Sequence, residues 1–360
     1  MPDLKQDIRA MKIETTECRT ITIDKALKEK DALFVDARTP KEYEEAHILH
    51  AINIPLMSNY QRHIIGTIYK QQTQEDAIKK GWDFFEPVVK DFIEQFKKIK
   101  NKKIIIYCWR GGMRSRIVVN LLKLFGIKTF QLEEGFKRYM NEIIWEGIKR
   151  FEKSYEPKLI VLFGNTGTRK TAIINKIIEQ RLPAIDFEGL AQHRASVYGG
   201  VNLNPRSQKM FSILLYHELD RLRSEKYIIV EGESNKIGNV FLPKFISRKI
   251  ESDIKINLKA DIKTRVAAIR EEYFSNKESI DDLHKITGSL AGRIGKKNVQ
   301  MLRGWLDSKE YDKFTEYLLI NYYDKRYIHN KKGYDYDIEI NSDYIDEAVK
   351  DVVDFYKSIK

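Results

Sequence analysis

The first 140 residues alternate short apolar runs with stretches of helical spacing. The apolar runs predict buried strands at 33–36, 104–107 and 129–132. Helical spacing of polar and apolar residues follows at 41–46, 82–99 and 113–125. Gly126 stands where a glycine commonly ends a helix. Because strands that alternate with helices pair in parallel, we expect a three-layer α/β domain here.

A second alternation begins after a helical stretch at 136–153. Further strands are predicted at 159–163, 184–187, 227–230 and 254–258. Beyond Asp261 the pattern is mostly helical, until a last strand at 335–340 and a closing helix. The chain therefore divides near residue 150. We expect a first domain of residues 1–140, a helical linker of 141–156 and a second α/β domain of 157–360 with a helical C-terminal extension.

The composition suits a soluble globular protein and narrows the cellular setting. The 360 residues are 42% hydrophobic and 32% charged, without an apolar run of membrane-spanning length. Residues 1–20 lack the apolar core of a secretory signal. The two cysteines, Cys18 and Cys108, exclude a disulfide framework, so a cytoplasmic location is expected. The sequence has no Cys and His cluster with zinc spacing, and we expect no resident metal.

The net charge of +12 indicates a polyanionic partner, although a general lysine bias explains it equally well. The distribution of charge favours a partner. No acidic residue lies between Glu94 and Glu133, and the cations of that window surround Cys108. A second window without acids runs from Leu283 to Leu306.

Cys108 lies in the stretch IIIYCWRGGMRSRIVVNLL, between a predicted strand and a predicted helix. A loop that wraps around a helix start directs backbone N–H groups and the helix dipole towards a bound anion. We therefore expect Cys108 to be a thiolate with a lowered pKa. The loop that would form this anion cradle consists of Trp109, Arg110, Gly111, Gly112, Met113, Arg114 and Ser115. The alternative is a buried structural cysteine.

The C-x5-R-S spacing of this loop fits two chemistries: phosphate-ester hydrolysis through a phosphocysteine, and sulfur or selenium transfer as in rhodaneses. The preceding run LFVDARTPKEYEEAHILHAINIP resembles the rhodanese signature. The matching residues are Asp36, Arg38, Glu42, Tyr43, His47, Ile48, Ala51, Asn53, Ile54 and Pro55. Ala46, Leu49 and His50 depart from it. Since cell-cycle phosphatases share the rhodanese fold, the resemblance predicts the architecture and leaves both chemistries open.

The stretch LIVLFGNTGTRKTAII matches a phosphate-binding loop, G-x-x-x-x-G-K-[ST], at every position but one. The candidate diphosphate-binding residues are Gly164, Asn165, Thr166, Gly167, Thr168, Lys170 and Thr171. Arg169 occupies the position of the glycine expected before the lysine. Because a side chain there hinders close backbone approach, we expect reduced rather than abolished anion binding.

Three later segments offer supporting residues for this loop. A predicted strand ends near Asp186 and Glu188 and is followed by His193 and Arg194. A hydrophobic strand ends in Glu231, where many phosphate-loop proteins carry a metal-organising acid. Arg206, Ser207 and Gln208 mark a helix start. The alternative for each segment is a capped helix or a solvated loop. With Asp36 and Arg38 of the first domain, Glu188, His193, Arg194 and Glu231 complete the candidate supporting residues.

A rhodanese-like domain with a CWRGGMRS loop, fused to a phosphate-loop domain, resembles the tRNA 2-selenouridine synthase family. The segments LEEGFKRY, DFEGLAQHRASVYG, EGESNKIG and YYDKRY resemble further motifs of that family, in the same order. Arg169, Ala195 and the run at 46–50 depart from it. The fold that the resemblance implies is α/β: an N-terminal rhodanese-like three-layer domain, then a P-loop NTPase-like domain with a mostly helical C-terminal part.

The resemblance implies a two-step modification of 2-thiouridine at the wobble position of tRNA. A geranyl group from geranyl diphosphate is placed on the sulfur, and selenium from selenophosphate then replaces the S-geranyl group. The phosphate loop would bind the diphosphate and Cys108 would handle selenium or stabilise the displacement. No tightly bound cofactor is implied, and Mg²⁺ is a candidate ion. The competing hypotheses are a C-x5-R phosphatase with an accessory phosphate-loop domain, a kinase-like enzyme with a non-catalytic rhodanese module, and a non-enzymatic RNA-binding protein.

Overall fold

The computed structural model describes residues 16–99, 102–232, 234–274, 277–326 and 335–360. Their contacts separate two compact units between Lys149 and Arg150. The expectation that the chain has no secretory signal falls on residues 1–15, which lie outside the described residues, as do Glu233 and Tyr327 of two of the motifs. No helix in the described ranges is long and apolar enough to cross a membrane.

The first unit contains a parallel sheet in the order β1-β5-β4-β2-β3, counted over the described residues. Its strands are β1 (Thr20–Ile21), β2 (Ala32–Asp36), β3 (Ile52–Asn53), β4 (Lys103–Tyr107) and β5 (Thr129–Leu132). The strands predicted at 33–36, 104–107 and 129–132 are confirmed as β2, β4 and β5. The two-residue strands β1 and β3 were not predicted, because they are too short to show a pattern.

Helices cover this sheet, and the main core lies between them. They are α1 (Ile23–Lys28), α2 (Pro40–Glu45), α3 (Asn59–Gln71), α4 (Gln74–Phe85), α5 (Val89–Lys97), α6 (Met113–Leu124) and α7 (Gly135–Arg138). A π-helical segment, Tyr139–Trp145, joins α7 to α8 (Glu146–Ser154), which crosses the boundary between the two units. One core cluster packs Ile104 and Ile106 of β4 against Phe92 of α5 and Leu121 of α6.

One helix prediction for the first unit was wrong in its extent. The single helix expected over 82–99 is interrupted by a 3-10 turn, Glu86–Val88, that separates α4 from α5. Pro87 lies inside that turn and has no N–H to donate, so an uninterrupted helix is disfavoured there. The end of α6 is as expected, because Gly126 has a φ of 73° just beyond it.

The second unit also has a parallel sheet, in the order β12-β11-β6-β8-β7 over the described residues. Its strands are β6 (Lys158–Gly164), β7 (Ala184–Ile185), β8 (Tyr227–Glu231), β11 (Ile254–Lys259) and β12 (Ile338–Asn341). An antiparallel hairpin of β9 (Lys236–Ile237) and β10 (Val240–Phe241) lies apart from it. The strand predicted at 184–187 is shorter than expected, because Asp186 caps a helix there by accepting a hydrogen bond from the Gly189 N–H at 2.7 Å.

The helices of the second unit form two groups. The group around the sheet comprises α9 (Lys170–Glu179), α10 (Phe187–Ala191), α11 (Gln208–Arg221), α12 (Lys244–Ser252) and α18 (Ile345–Ile359). The mostly helical part that was predicted comprises α13 (Ile262–Tyr273), α14 (Lys277–Ser289), α15 (Ala291–Ile294), α16 (Lys296–Asp307) and α17 (Tyr311–Leu318). This second group has its own core, in which Leu302 and Phe314 pack with Tyr198. The α/β fold class is thereby confirmed.

Candidate active site: a cysteine loop and a phosphate loop

Cys108 follows the carboxyl end of β4, directly before the loop that leads into α6. Its side chain is buried, with 3% of the residue exposed. The Cys108 Sγ lies 3.3 Å from the Ser115 Oγ in the first turn of α6. The thiol and the hydroxyl of the predicted cradle are therefore brought together at a helix N-terminus, where the dipole favours negative charge.

Gln131 of β5 holds this loop in shape, although it was not among the predicted site residues. Its Nε2 donates hydrogen bonds to the carbonyl oxygens of Gly111 at 2.7 Å and Gly112 at 3.0 Å. The same nitrogen lies 2.8 Å from the Ser115 Oγ. The Gln131 Oε1 accepts a hydrogen bond of 3.0 Å from the Cys18 thiol. Gln131 thus links Cys18 to Ser115, the residue beside the Cys108 thiol.

The turn after β5 closes against the back of the cysteine loop. Gly111 and Gly135 have φ values of 60° and 58°. A β-carbon on Gly135 would overlap the Cys108 carbonyl oxygen and lie 2.5 Å from the Gly111 nitrogen. The Phe136 N–H donates to that same Cys108 oxygen at 2.9 Å. Only glycine permits this close approach of two backbone segments.

The two arginines of the loop differ in their surroundings. Arg110 is exposed to solvent. The Arg114 guanidinium is paired with Glu42 of α2, with Nη1 2.7 Å from Oε2 and Nη2 3.2 Å from Oε1. Burial acts to raise the pKa of Glu42, but the hydrogen bond and charge of Arg114 outweigh it and leave that pKa below its ordinary value. Of the other loop residues, Trp109 packs on Phe136 with a ring separation of 5.8 Å.

Asp36 and Arg38 form a buried ion pair behind the loop. The Arg38 Nη2 lies 2.6 Å from the Asp36 Oδ2 and also donates to the Ala46 carbonyl oxygen at 2.6 Å. The guanidinium lies 4.1 Å from the centre of the Phe136 ring. Both side chains are almost fully buried, so they support the loops at this sheet edge rather than contact a ligand. His50, where the rhodanese signature usually has glycine, keeps the turn with a φ of 62°.

The phosphate loop follows β6 and leads into α9. A β-carbon on Gly164 would lie 2.5 Å from the Thr168 Oγ1, and one on Gly167 would lie 2.9 Å from the Arg265 carbonyl oxygen. Arg169 adopts the left-handed region, with φ 62° and ψ 25°, directly before α9 begins. The loop therefore keeps the backbone conformation for which glycine is suited, although an arginine occupies the position.

The side chain of Arg169 contributes positive charge near Asp343, in the loop between β12 and α18. The pKa of Asp343 is lowered chiefly by a hydrogen bond from the Asp261 N–H, and the charge of Arg169 adds to that effect. Lys170 and Thr171 begin α9. The Lys170 Nζ donates to the Gly164 carbonyl oxygen at 2.9 Å, so the ammonium group lies across the loop.

Three acidic residues lie behind Thr171. They come from the carboxyl edge of the parallel sheet, where the loops that follow adjacent strands meet. The Thr171 Oγ1 donates to the Glu188 Oε2 at 2.7 Å. The Glu188 N–H donates to the Glu231 Oε1 at 2.7 Å, and Glu231 is fully buried at the end of β8. Burial raises the pKa of Asp186, which also shares a hydrogen bond with Glu231. Across the described ranges, no three carboxylate, imidazole or thiol groups have the geometry of a metal site.

The tip of the phosphate loop is clamped by Arg265 and Asp324, two residues that were not predicted. The Arg265 Nε donates to the Thr166 carbonyl oxygen at 2.8 Å. Its Nη2 lies 2.6 Å from the Asp324 Oδ1, which also accepts from the Asn165 Nδ2 at 3.1 Å. Arg265 is buried, with 6% of the residue exposed. The clamp therefore fixes two loop residues to the helical part of this unit.

His193 and Arg194 follow α10. They contact residues 199–201, the turn between β9 and β10, and α13. The His193 ring lies where β-carbons on Gly199 and Gly238 would come within 3.0 Å of it. Burial lowers the pKa of His193, and the charge of Arg194 lowers it further. The Arg194 Nη1 donates to the Val201 carbonyl oxygen at 2.8 Å, and its Nε lies 3.3 Å from the Glu272 Oε2. These contacts position the segment that carries His193 and Arg194.

Comparison with known families accounts for both units. Residues 22–142 match the rhodanese-like domain, and residues 157–358 match the tRNA 2-selenouridine synthase AAA domain. The chain belongs to the tRNA 2-selenouridine synthase family. The cysteine loop lies inside the first matched range, and the phosphate loop and its clamp lie inside the second.

Several relatives in the family carry the name tRNA 2-selenouridine synthase. The protein from Nitrosomonas europaea is 35% identical over 254 residues, which are 68% of this chain and 64% of that protein. The protein from Sulfurovum sp. is 28% identical over 346 residues, 86% of this chain and 90% of that protein. The protein from Hydrogenovibrio crunogenus is 27% identical over 354 residues, with shares of 89% and 95%. In the last two, the family resemblance covers both units.

The contact behind the cysteine loop predicts a large difference between two glycines. Gly135→Ala should lower the free energy of unfolding by about 2–4 kcal/mol, because the β-carbon meets backbone atoms at a left-handed φ. Gly112→Ala is the matched control, since nothing lies within 4 Å of its added carbon. We expect it to cost less than about 1 kcal/mol. Urea unfolding of the full chain measures both, and equal losses would contradict the packing described.

The clamp on the phosphate loop predicts a similar contrast between two arginines of α13. Arg265→Ala should destabilise the second unit by about 2–4 kcal/mol, because it leaves a partly buried carboxylate and a carbonyl oxygen without their donor. Arg270→Ala is the control, since Arg270 and its partner Asp312 are 58% and 63% exposed. That change should cost less than about 1 kcal/mol. Thermal unfolding followed by circular dichroism measures both variants. Equal melting temperatures would contradict the clamp.

Proposed function

We propose that the protein performs the activity for which its relatives are named, the conversion of 2-thiouridine to 2-selenouridine in tRNA. The observation that carries the proposal is the occurrence, in one chain, of a buried cysteine at a helix N-terminus and a fully formed phosphate loop. Each is an anion site by its backbone geometry. The two units that hold them match the two domains of the family.

The first step that we assign is the transfer of a geranyl group to the sulfur of 2-thiouridine. The sulfur attacks the first carbon of geranyl diphosphate, the bond to the diphosphate oxygen breaks, and the ring N3 loses its proton. The phosphate loop would hold the departing diphosphate, with Lys170 and the N–H groups at the start of α9 as donors. A leaving diphosphate needs stabilisation of its negative charge, whereas transfer of a γ-phosphate also requires that group to be positioned. The extra positive charge of Arg169 is therefore compatible with the binding of diphosphate.

The second step that we assign is the exchange of the S-geranyl group for selenium. The selenium of selenophosphate attacks the second carbon of the uracil ring, the carbon–sulfur bond breaks, and geranylthiol leaves with a proton. Water then cleaves the phosphorus–selenium bond, and phosphate leaves. We assign selenophosphate to the cysteine loop, because the first step already assigns diphosphate to the phosphate loop. Cys108, with Ser115 beside it, would stabilise the displacement at the helix N-terminus.

Mg²⁺ fits the phosphate loop as an accessory ion. The Thr171 hydroxyl and the Glu188 and Glu231 carboxylates are oxygen ligands of the kind it prefers. When bound, it would neutralise charge on the diphosphate. The net charge of +12 supports tRNA as the partner, since neutralised phosphates dominate such binding. We place the enzyme in the cytoplasm, where Cys108 would stay reduced.

The alternative function, a phosphatase with a C-x5-R loop, is not favoured by the structure of the loop. A phosphocysteine mechanism needs the arginine of that motif free to hold the phosphate. Here the Arg114 guanidinium makes two hydrogen bonds to Glu42 instead. This pairing therefore counts against phosphate-ester hydrolysis at the loop.

The experiment that tests the proposal supplies geranyl diphosphate and selenophosphate, separately and together, to tRNA that contains 2-thiouridine. Nucleoside mass spectrometry should show S-geranyl-2-thiouridine with the first substrate alone and 2-selenouridine with both. Cys108→Ala should abolish 2-selenouridine while tRNA binding is retained. Cys18→Ser is the control, because serine can still donate to Gln131. Normal 2-selenouridine formation by Cys108→Ala would refute the assignment of Cys108.

The left-handed conformation of Arg169 gives a second test. Arg169→Gly should raise the free energy of unfolding by about 1 kcal/mol, because glycine adopts this conformation without a steric penalty. It should also strengthen diphosphate binding or geranylation, and leave selenium exchange from geranylated tRNA nearly unchanged. Calorimetry with inorganic diphosphate measures the binding. Weaker binding by the glycine variant would show that the arginine is itself a contact to the ligand.

A further inference from the structure

An open cleft of about 750 Å³ lies in the first unit, between the helical hairpin α3–α4 and the first turns of α6. Apolar side chains form much of its lining, including Met57, Ile65, Ile78, Trp82, Phe84 and Ile117. This volume falls in the range of pockets that bind small molecules. No residue of α3 or α4 has been assigned to either step above.

The hairpin exposes this apolar surface instead of burying it in the core. Ile65 of α3 lines the cleft, and none of the residues of α3 is buried. Trp82 and Ile117 pack on the core with one side and remain partly exposed on the other. A concentrated apolar surface left open in this way is characteristic of a site that receives an apolar ligand.

The cleft is continuous with the cysteine loop. Met113 and Arg114, the first two residues of α6, belong to the loop and also line the cleft. Glu42, which fixes the Arg114 guanidinium, lines it as well. A group bound in the cleft would therefore reach the helix N-terminus at which Cys108 and Ser115 meet.

The exposed rim of the cleft is mostly basic. Lys41, Arg62, His63 and Lys70 all contribute to it and are exposed. Glu45 is an acidic residue among them, while Glu42 is neutralised by Arg114. An apolar floor with a cationic rim is complementary to a ligand that joins a hydrocarbon chain to a polyanion.

We propose that this cleft binds the prenyl chain of S-geranylated tRNA during selenium exchange. The inference rests on the proposed function, because that function supplies a substrate in which a ten-carbon chain is attached to a nucleotide. The chain would lie on the apolar floor and the RNA phosphates on the basic rim. Its thioether end would then face the cysteine loop, where the carbon–sulfur bond breaks and geranylthiol leaves.

The first measurement uses the wild-type full chain and anticodon stem-loop RNA. The RNA carries 2-thiouridine with no substituent, an S-methyl group, a five-carbon S-prenyl group or an S-geranyl group. Affinity should rise with chain length, and the geranylated RNA should bind about tenfold or more tightly than the methylated one, because each buried carbon adds to the binding free energy. Equal affinities across the series would overturn the proposal.

The second measurement fills the cleft. Gly81 lines it, and a β-carbon there would meet only the Ile65 Cδ1, at an ordinary 3.7 Å. Gly81→Phe should therefore reduce the affinity for geranylated RNA about tenfold and leave that for methylated RNA unchanged. Gly81→Leu should have an intermediate effect. Lys79→Phe adds the same ring to an exposed position of α4 outside the cleft and should change neither affinity.

The outcomes separate this inference from the function on which it rests. If wild-type protein with selenophosphate converts geranylated RNA to 2-selenouridine and a folded Gly81→Phe variant keeps the full preference for geranyl, the cleft assignment is wrong. If the wild type fails to convert geranylated RNA, the proposed function fails whatever the cleft binds. Should Gly81→Phe not fold, Gly81→Leu and the wild-type chain-length series decide the same question.

Discussion

The cysteine loop depends on the contact of one backbone turn with another. The turn after β5 passes so close to the Cys108 carbonyl that Gly135 has no room for a β-carbon, and the Phe136 N–H bonds to that carbonyl. From the other side, the Gln131 amide binds the carbonyl oxygens of Gly111 and Gly112. With their oxygens held from outside, the loop residues keep one conformation. A site that must orient an anion over a single sulfur benefits from such preorganisation.

The phosphate loop is stabilised in an analogous manner by a different set of contacts. Arg265 and Asp324 hold its tip through Thr166 and Asn165, while the acids behind Thr171 hold its base. In both loops, polar groups from distant parts of the chain hold the backbone in place. These contacts explain why an arginine is accommodated at position 169: they maintain a left-handed backbone that the residue alone disfavours.

Much of this architecture could be predicted from the sequence, because buried parallel strands are continuous apolar runs and the two loops have recognisable motifs. The contacts that hold the loops could not. Gln131 is one amide in a short buried strand, and its partner Gly111 is 20 positions away. Arg265 lies 99 positions from Thr166, on a helix whose pattern gives it no special place. The pairing of Arg114 with Glu42, 72 positions earlier, has no local signal. Such contacts follow from tertiary packing rather than from any spacing along the chain.

The incomplete burial of α3 has a consequence for the motions of the first unit. Helix α5 buries Val89, Phe92, Ile93 and Phe96, whereas α3 buries none of its residues. Segments that open locally do so at a free energy set by the apolar contacts they lose. Helix α3 should therefore unfold or swing away from the unit far more often than α5, and its amide hydrogens should exchange with solvent first. The wall of the cleft is thus also its least stable part, and a bulky substituent can enter or leave without disturbance of the sheet that carries the cysteine.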